Sequence, residues 1–209
     1  MLIAITGVDC SGKTTQIQRL REHYEGLSIS VCSVGLSHKP SARRVLEHSL
    51  VLCPHPEGFP FGLSGDHFAI ALSCDFMNHY FDNVYPLLRP GGPDIVISDR
   101  YTLCYKAYSS AVGAESVISH SFLDSLVKPP DLQICLDIDL STILDRLSHR
   151  AEPTAFDETT GMLESLIAYY RRAATLDPML RVVDGAQPVD VVTNVLLSLI
   201  ESRRHGKDF

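Results

Sequence analysis

The sequence has no run of basic residues longer than the pair Arg203-Arg204, and its 18 lysines and arginines are outnumbered by 25 acidic residues, for a formal charge of -7. That balance argues against nucleic acid or an anionic membrane as the main partner. No C-x-x-C pair occurs among the six cysteines, Cys10, Cys32, Cys53, Cys74, Cys104 and Cys135. Neither a zinc ribbon nor a disulfide framework is therefore indicated, and cysteines within apolar runs fit reduced thiols in a cytoplasmic protein. The histidines show no H-E-x-x-H spacing. No apolar stretch is long enough to span a bilayer. The opening Met1-Leu2-Ile3-Ala4-Ile5-Thr6 lacks a basic n-region and reads as a strand rather than a signal peptide. There is no internal repeat. At 209 residues, the expectation is one α/β domain with a core large enough to need no staples.

What is present begins directly behind the first apolar run. Gly7-Val8-Asp9-Cys10-Ser11-Gly12-Lys13-Thr14 fits G-x-x-x-x-G-K-T, a phosphate-binding loop between a strand and a helix. Its glycines let successive N–H groups turn inward, and the helix starting near Lys13 adds its positive end to the same hollow. Lys13 is placed to reach the β- and γ-phosphates of a nucleotide, and the Thr14 hydroxyl to coordinate the Mg²⁺ that accompanies them. Gly7, Asp9, Cys10, Ser11, Gly12, Lys13, Thr14 and Thr15 are the candidate ATP-binding residues of this loop.

Strand and helix patterns then alternate. Ile17, Leu20 and Tyr24 recur at helical spacing, and a short strand follows over about 29–34. From Gly35 to Gly65 prolines and glycines recur, a loop-rich insertion expected to cover a substrate. Asp66 to about Leu88 reads as one long helix, ended by Pro90-Gly91-Gly92-Pro93. Asp94 to Ser98 is a buried strand that delivers Asp99-Arg100-Tyr101 at its carboxyl end, where open parallel sheets bind ligands. Leu132 to Leu136 is another strand. Leu140 to His149 is helical, and a polar lid is expected over about 146–160. A helix through Tyr169-Tyr170-Arg171-Arg172, a strand over 181–183 and a helix over about 189–203 complete the chain. Arg171-Arg172 reads as surface charge that complements a helix end.

The loop alone leaves kinase, GTPase and ATPase open. No Asn-Lys-x-Asp occurs to read guanine, and Asp99, placed for Mg²⁺, is followed by Arg100 rather than by the glutamate of a mechanical ATPase. An arginine there suits a second phosphorylated molecule. Transfer to an acceptor is favoured over hydrolysis.

With these residues in place the chain resembles the thymidylate kinases. The matching features are the loop with its internal Asp9, Lys13-Thr14-Thr15-Gln16, Asp99-Arg100-Tyr101, Ala107-Tyr108, Pro130-Asp131-Leu132, Leu136-Asp137, and Arg146 with Arg150. The resemblance implies a three-layer P-loop kinase fold with a five-stranded parallel sheet of order 2-3-1-4-5. It also implies an ATP- and Mg²⁺-dependent nucleoside monophosphate phosphotransferase, usually a homodimer. Carried over, Asp9 approaches the acceptor's sugar hydroxyl, and Arg100 grips its phosphate. Tyr105 and Tyr108 line the sugar pocket, and Arg146 and Arg150 lie over ATP as lid arginines. Lys13, Asp9, Arg100 and Arg150 are the catalytic candidates, with Thr14 and Asp99 for the metal.

Departures fall on the acceptor side. Ser37-His38-Lys39-Pro40-Ser41 stands where the family has an Arg-Glu-Pro loop, Asp75-Phe76 where it has Asp-Arg, and Ser109 where it has glutamine. The lost arginine is the one expected to donate to the thymine carbonyl, so selectivity for thymidylate is expected to be lost with it. Phe76 is then a candidate to stack on an acceptor base, and Lys39 and Arg43 to supply phosphate contacts. An altered nucleoside monophosphate is the expected acceptor. A P-loop kinase acting on a hydroxyl, with Asp9 or Asp99 as base, and a nucleotide-binding switch without transfer are the alternatives.

Overall fold

In the computed structural model, residues 1–35, 65–114, 123–149 and 159–206 are described. The expected insertion around 35–65 and most of the expected lid lie outside them, as do Lys39, Arg43 and Arg150. The elements run β1 (Leu2–Thr6), α1 (Lys13–Gly26), β2 (Val31–Gly35), α2 (Gly65–His79), β3 (Ile95–Asp99), α3 (Thr102–Ala111), β4 (Leu132–Asp137), α4 (Leu140–Ser148), α5 (Thr160–Leu176), β5 (Leu180–Asp184) and α6 (Val189–Arg204). All strand pairs are parallel, and the order is β2-β3-β1-β4-β5, as expected from the sequence.

The alternation of side chains along β1 explains the layering. Leu2 and Ala4 point to one face and pack with Phe76, Tyr80, Tyr101, Leu166 and Tyr170 from α2, α3, α5 and their flanks. Ile3 and Ile5 point to the other, where Leu20 and Tyr24 of α1 meet Leu196 and Ile200 of α6. Strands buried on both faces are largely apolar, which is why Leu2–Ile5 of β1 and Ile95–Ile97 of β3 read as hydrophobic runs. Across the second face the Tyr24 hydroxyl donates to Glu201 Oε1 at 2.8 Å, tying α1 to α6 at the one polar atom of an otherwise buried ring.

The long helix expected over 66–88 is not uniform. α-Helical geometry ends at His79, gives way to a π-helical turn over Tyr80–Val84, and closes as a 3-10 turn over Tyr85–Leu88. Pro86 supplies the reason: it has no N–H to give to the residue four positions back, and its ring collides with that carbonyl in a regular helix. Widening the turn before it relieves both problems. Helical periodicity persists through the change, so the pattern alone reads as one helix. β2 begins at Val31, slightly later than the sequence indicates.

Leu20 is completely buried between the sheet and α6. Leu20→Ala should lower stability by about 2–5 kcal/mol, as cavity-forming core truncations do, and urea denaturation followed by circular dichroism measures it.

Candidate active site

The carboxyl ends of β1, β3, β4 and β5 converge. After Thr6 the chain turns sharply at Gly7, whose φ is 143° and whose absent Cβ would lie 2.7 Å from the carbonyl oxygen of Leu136 in β4. Only glycine lets the loop pass this close to the neighbouring strand. Cys10 is left-handed at φ 61°. The loop then enters α1 at Lys13, while Thr14 and Thr15 are exposed at the start of the helix, whose first N–H groups have no intrahelical partner.

Lys13 is buried and folded onto its own loop. Its Nζ donates to the carbonyls of Gly7 at 3.0 Å and Val8 at 2.7 Å, and lies 3.7 Å from Asp9 Oδ1. Burial is the main influence holding its pKa below the usual lysine value, and the nearby Arg100 adds to it.

From β3 comes the second cation. Arg100 Nη2 donates to Asp9 Oδ1 across 91 positions of sequence, and Nη1 donates to the Tyr108 hydroxyl at 3.1 Å. The guanidinium also lies over the Tyr108 ring at 5.5 Å. Burial alone would pull its pKa down, but the fields of Tyr108 and Asp9 outweigh this and carry it well above the ordinary arginine value. Thus Asp9 stands between Lys13 and Arg100 and joins the nucleotide loop to α3.

The donor side has its own tie. Arg146 of α4 donates from Nη1 to the Cys10 carbonyl at 2.8 Å and from Nη2 to the Gly185 carbonyl at 3.1 Å. Gly185, just past β5, donates its N–H to Asp137 O at 2.7 Å. A Cβ on Gly185 would meet Ser11 O at 2.9 Å and Asp137 O at 3.2 Å. Arg146 and Gly185 therefore fasten the loop to the ends of β4 and β5. The sequence reading missed Gly185, although a glycine directly behind the strand residues Val182-Val183-Asp184 was the available signal.

Three buried polar atoms near these groups have no hydrogen-bond partner: Ser11 Oγ, Asp99 Oδ1 and the Tyr105 hydroxyl. Stranded groups of this kind are costly and point to a missing ligand. Asp99 Oδ1 and the exposed Thr14 hydroxyl fit Mg²⁺, which takes one or two protein oxygens and completes its shell with phosphate and water. Burial pushes the Tyr105 phenol well above its usual pKa, so it remains a hydroxyl.

Other expectations resolve differently. Phe76 is 1% exposed, with ring centroids 4.5 Å from Tyr105 and 5.5 Å from Tyr101, so it packs as core between α2 and α3 and presents no free face for an acceptor base. Tyr101 is spent on the Lys128 carbonyl at 2.7 Å. Arg171 is exposed charge, but it is paired across elements: its Nε reaches Asp137 at 3.0 Å, and its Nη2 reaches Asp139 at 3.0 Å, tying α5 to the end of β4. His79 is buried, with Asn83 Nδ2 3.3 Å from its Nδ1 and no partner at Nε2, and burial lowers its pKa.

The family model for thymidylate kinase matches residues 5–195. The chain belongs to the thymidylate kinase family. It is 31% identical to a probable thymidylate kinase of Thermococcus onnurineus over 207 residues, covering 96% of this chain and 97% of that protein. Identity is 29% to a probable thymidylate kinase of Thermococcus kodakarensis, with 97% and 98% covered. It is 26% to the thymidylate kinase of Bifidobacterium longum, with 92% and 93% covered. The chain is accordingly a phosphotransferase of the nucleoside monophosphate kinase type. None of the helices among the described residues is long and apolar enough to cross a membrane.

Gly185→Ala should force Ser11 and Asp137 apart and displace the loop. A stability loss of about 1–3 kcal/mol, typical of overpacking, is expected. Calorimetric titration should show weaker ATP binding in the same variant.

Proposed function

We propose that the protein transfers the γ-phosphoryl group of ATP, with Mg²⁺, to the phosphate of a nucleoside monophosphate whose base is not selected as thymine is. The observation that carries this reading is the group Lys13–Asp9–Arg100–Tyr108, which places a second cation beside the nucleotide loop at the adjoining ends of β1 and β3. A second cation at this place suits the phosphate of an acceptor lying opposite the nucleotide.

In this reading Lys13 exchanges the Gly7 and Val8 carbonyls for the β- and γ-phosphates of ATP. Asp99 and Thr14 would hold Mg²⁺, which would offset charge on the phosphates. Arg100 exchanges part of its pairing with Asp9 for the acceptor phosphate, and Asp9 is then free to approach the acceptor's sugar. An oxygen of the acceptor phosphate forms a bond to the γ-phosphorus as the bond to the β–γ bridging oxygen breaks, releasing ADP. No base is required, because the attacking oxygen is already anionic. The rate arises from alignment and from positive charge around the moving group. Arg150 and the insertion residues Lys39 and Arg43 remain proposed from the sequence as further contacts.

The reading of the base rests on α2. Where the family carries an arginine, Phe76 is buried core, so that position offers the thymine carbonyl no donor. Replacing Phe76 with arginine would bury an unpaired charge at a cost of several kcal/mol, so base choice is best tested on the native protein. ADP formation across deoxy- and ribonucleoside monophosphates, free nucleosides and phosphorylated metabolites should show monophosphates active and thymidylate not preferred. Thymidylate as the most efficient acceptor would end the specificity reading, and activity on free nucleosides alone would favour transfer to a hydroxyl. Arg100→Ala should lower kcat/KM for the acceptor by about a hundredfold, in line with loss of a charge-assisted contact of about 1.5–3 kcal/mol.

We also propose that the protein is a cytoplasmic homodimer. Ile70, Cys74, Phe81 and Tyr85 follow one another along α2 and its extension at helical spacing, and all are exposed. A contiguous apolar stripe of this kind is costly to leave in water. Sedimentation analysis should give a dimer for the native chain and a monomer for Phe81→Glu.

A further inference from the structure

β3 ends in a backbone conformation that L-residues seldom adopt. Arg100 has φ 71°, a left-handed value that crowds any side chain bearing a Cβ and persists only when the surroundings hold it. Two hydrogen bonds do so. The Arg100 N–H donates to the Ile5 carbonyl at 2.9 Å, extending the β1–β3 pairing past Asp99. The Ser98 hydroxyl donates to the Arg100 carbonyl at 2.7 Å.

Ser98 has no packing reason to be polar. It is 2% exposed, lies opposite Ala4 in β1 and Val34 in β2, and follows Ile95-Val96-Ile97 in a strand buried on both faces. A hydroxyl in such a place is unfavourable unless it forms a hydrogen bond, and this one is directed at the strained residue. From its left-handed backbone, Arg100 reaches Asp9 with one amino group and Tyr108 with the other. A relaxed, negative φ would swing the Cα–Cβ bond and take the guanidinium out of reach of that pair.

We propose that Ser98 is a positioning residue: its hydroxyl locks the Arg100 backbone in the conformation that aims the guanidinium at the acceptor phosphate. This rests on the reading of Arg100 as the acceptor-phosphate grip. Ser98 touches no reacting atom and acts only through Arg100, so its effect falls on the acceptor and not on ATP.

The test compares native protein, Ser98→Ala and Ser98→Thr in steady-state kinetics with ATP and the best monophosphate acceptor. The Arg100 side-chain Nε–H signal is followed by NMR in parallel and assigned with Arg100→Lys. Ser98→Ala should raise the acceptor KM about tenfold, as expected for one lost buried hydrogen bond. The ATP KM should stay within about twofold, and the Arg100 signal should shift. Ser98→Thr, which keeps the hydroxyl, should restore both. An Arg100 signal unchanged in Ser98→Ala overturns the proposal, and so does an ATP KM that rises in step with that of the acceptor. A shifted signal with an unchanged acceptor KM, or native protein that turns over no monophosphate, overturns instead the acceptor-phosphate reading of Arg100. Should Ser98→Ala not fold, Ser98→Cys, of similar size and a weak donor, carries the same comparison.

Discussion

β1 and β3 lie side by side and parallel, so the two segments that leave their carboxyl ends emerge together. One is the nucleotide loop and the other is Asp99-Arg100. The hydrogen bond from the Arg100 N–H to Ile5 O carries strand pairing one step beyond the sheet proper and fixes how far apart these segments stand. Everything polar in the site depends on that spacing. Asp9 can serve Lys13 and Arg100 together only because both cations are delivered to one place by rigid strands packed on either face. A carboxylate between two buried cations also limits their mutual repulsion, which neither could tolerate alone in a dry environment.

The cations of the site are paired within the protein. Lys13 uses carbonyls of its own loop, Arg100 uses Asp9 and Tyr108, and Arg146 uses Cys10 and Gly185. Cations left unpaired would carry a large desolvation cost, so the fold supplies internal acceptors. The groups left without partners, Ser11 Oγ, Asp99 Oδ1 and the Tyr105 hydroxyl, are the complement of this arrangement. They come from the loop before α1, from the end of β3 and from α3.

Two non-glycine residues, Cys10 and Arg100, hold left-handed backbones in the site, and in each case a side chain bonds to the strained residue's carbonyl. Arg146 does so for Cys10 on the nucleotide side and Ser98 for Arg100 on the other. The site is thus preorganised from two directions by α4 and β3. Arg171, bound to Asp137 and Asp139, adds a third tie at the base of α4.

Much of this was legible in the chain itself, for a physical reason. The phosphate loop, the apolar strands and the placement of Asp99 and Arg100 at a strand end depend on neighbours close in sequence and on the period of two or 3.6 residues. The strand order came with the family resemblance; right-handed crossovers by themselves gave only a parallel sheet. What tertiary structure alone decided were contacts between residues far apart in sequence: Asp9 with Arg100, Arg146 with Gly185, and Arg171 with Asp137. Phe76 shows the difference most clearly. By sequence it occupied the position of a lost base-reading arginine and could face a ligand or the core. Its surroundings, Tyr80, Tyr101 and Tyr105, come from α3 and the turn after α2, and no local pattern encodes how closely two helices pack. The sequence by itself determined the phosphate-loop motif and the strands that frame it; packing decided which side chains beside it are enclosed.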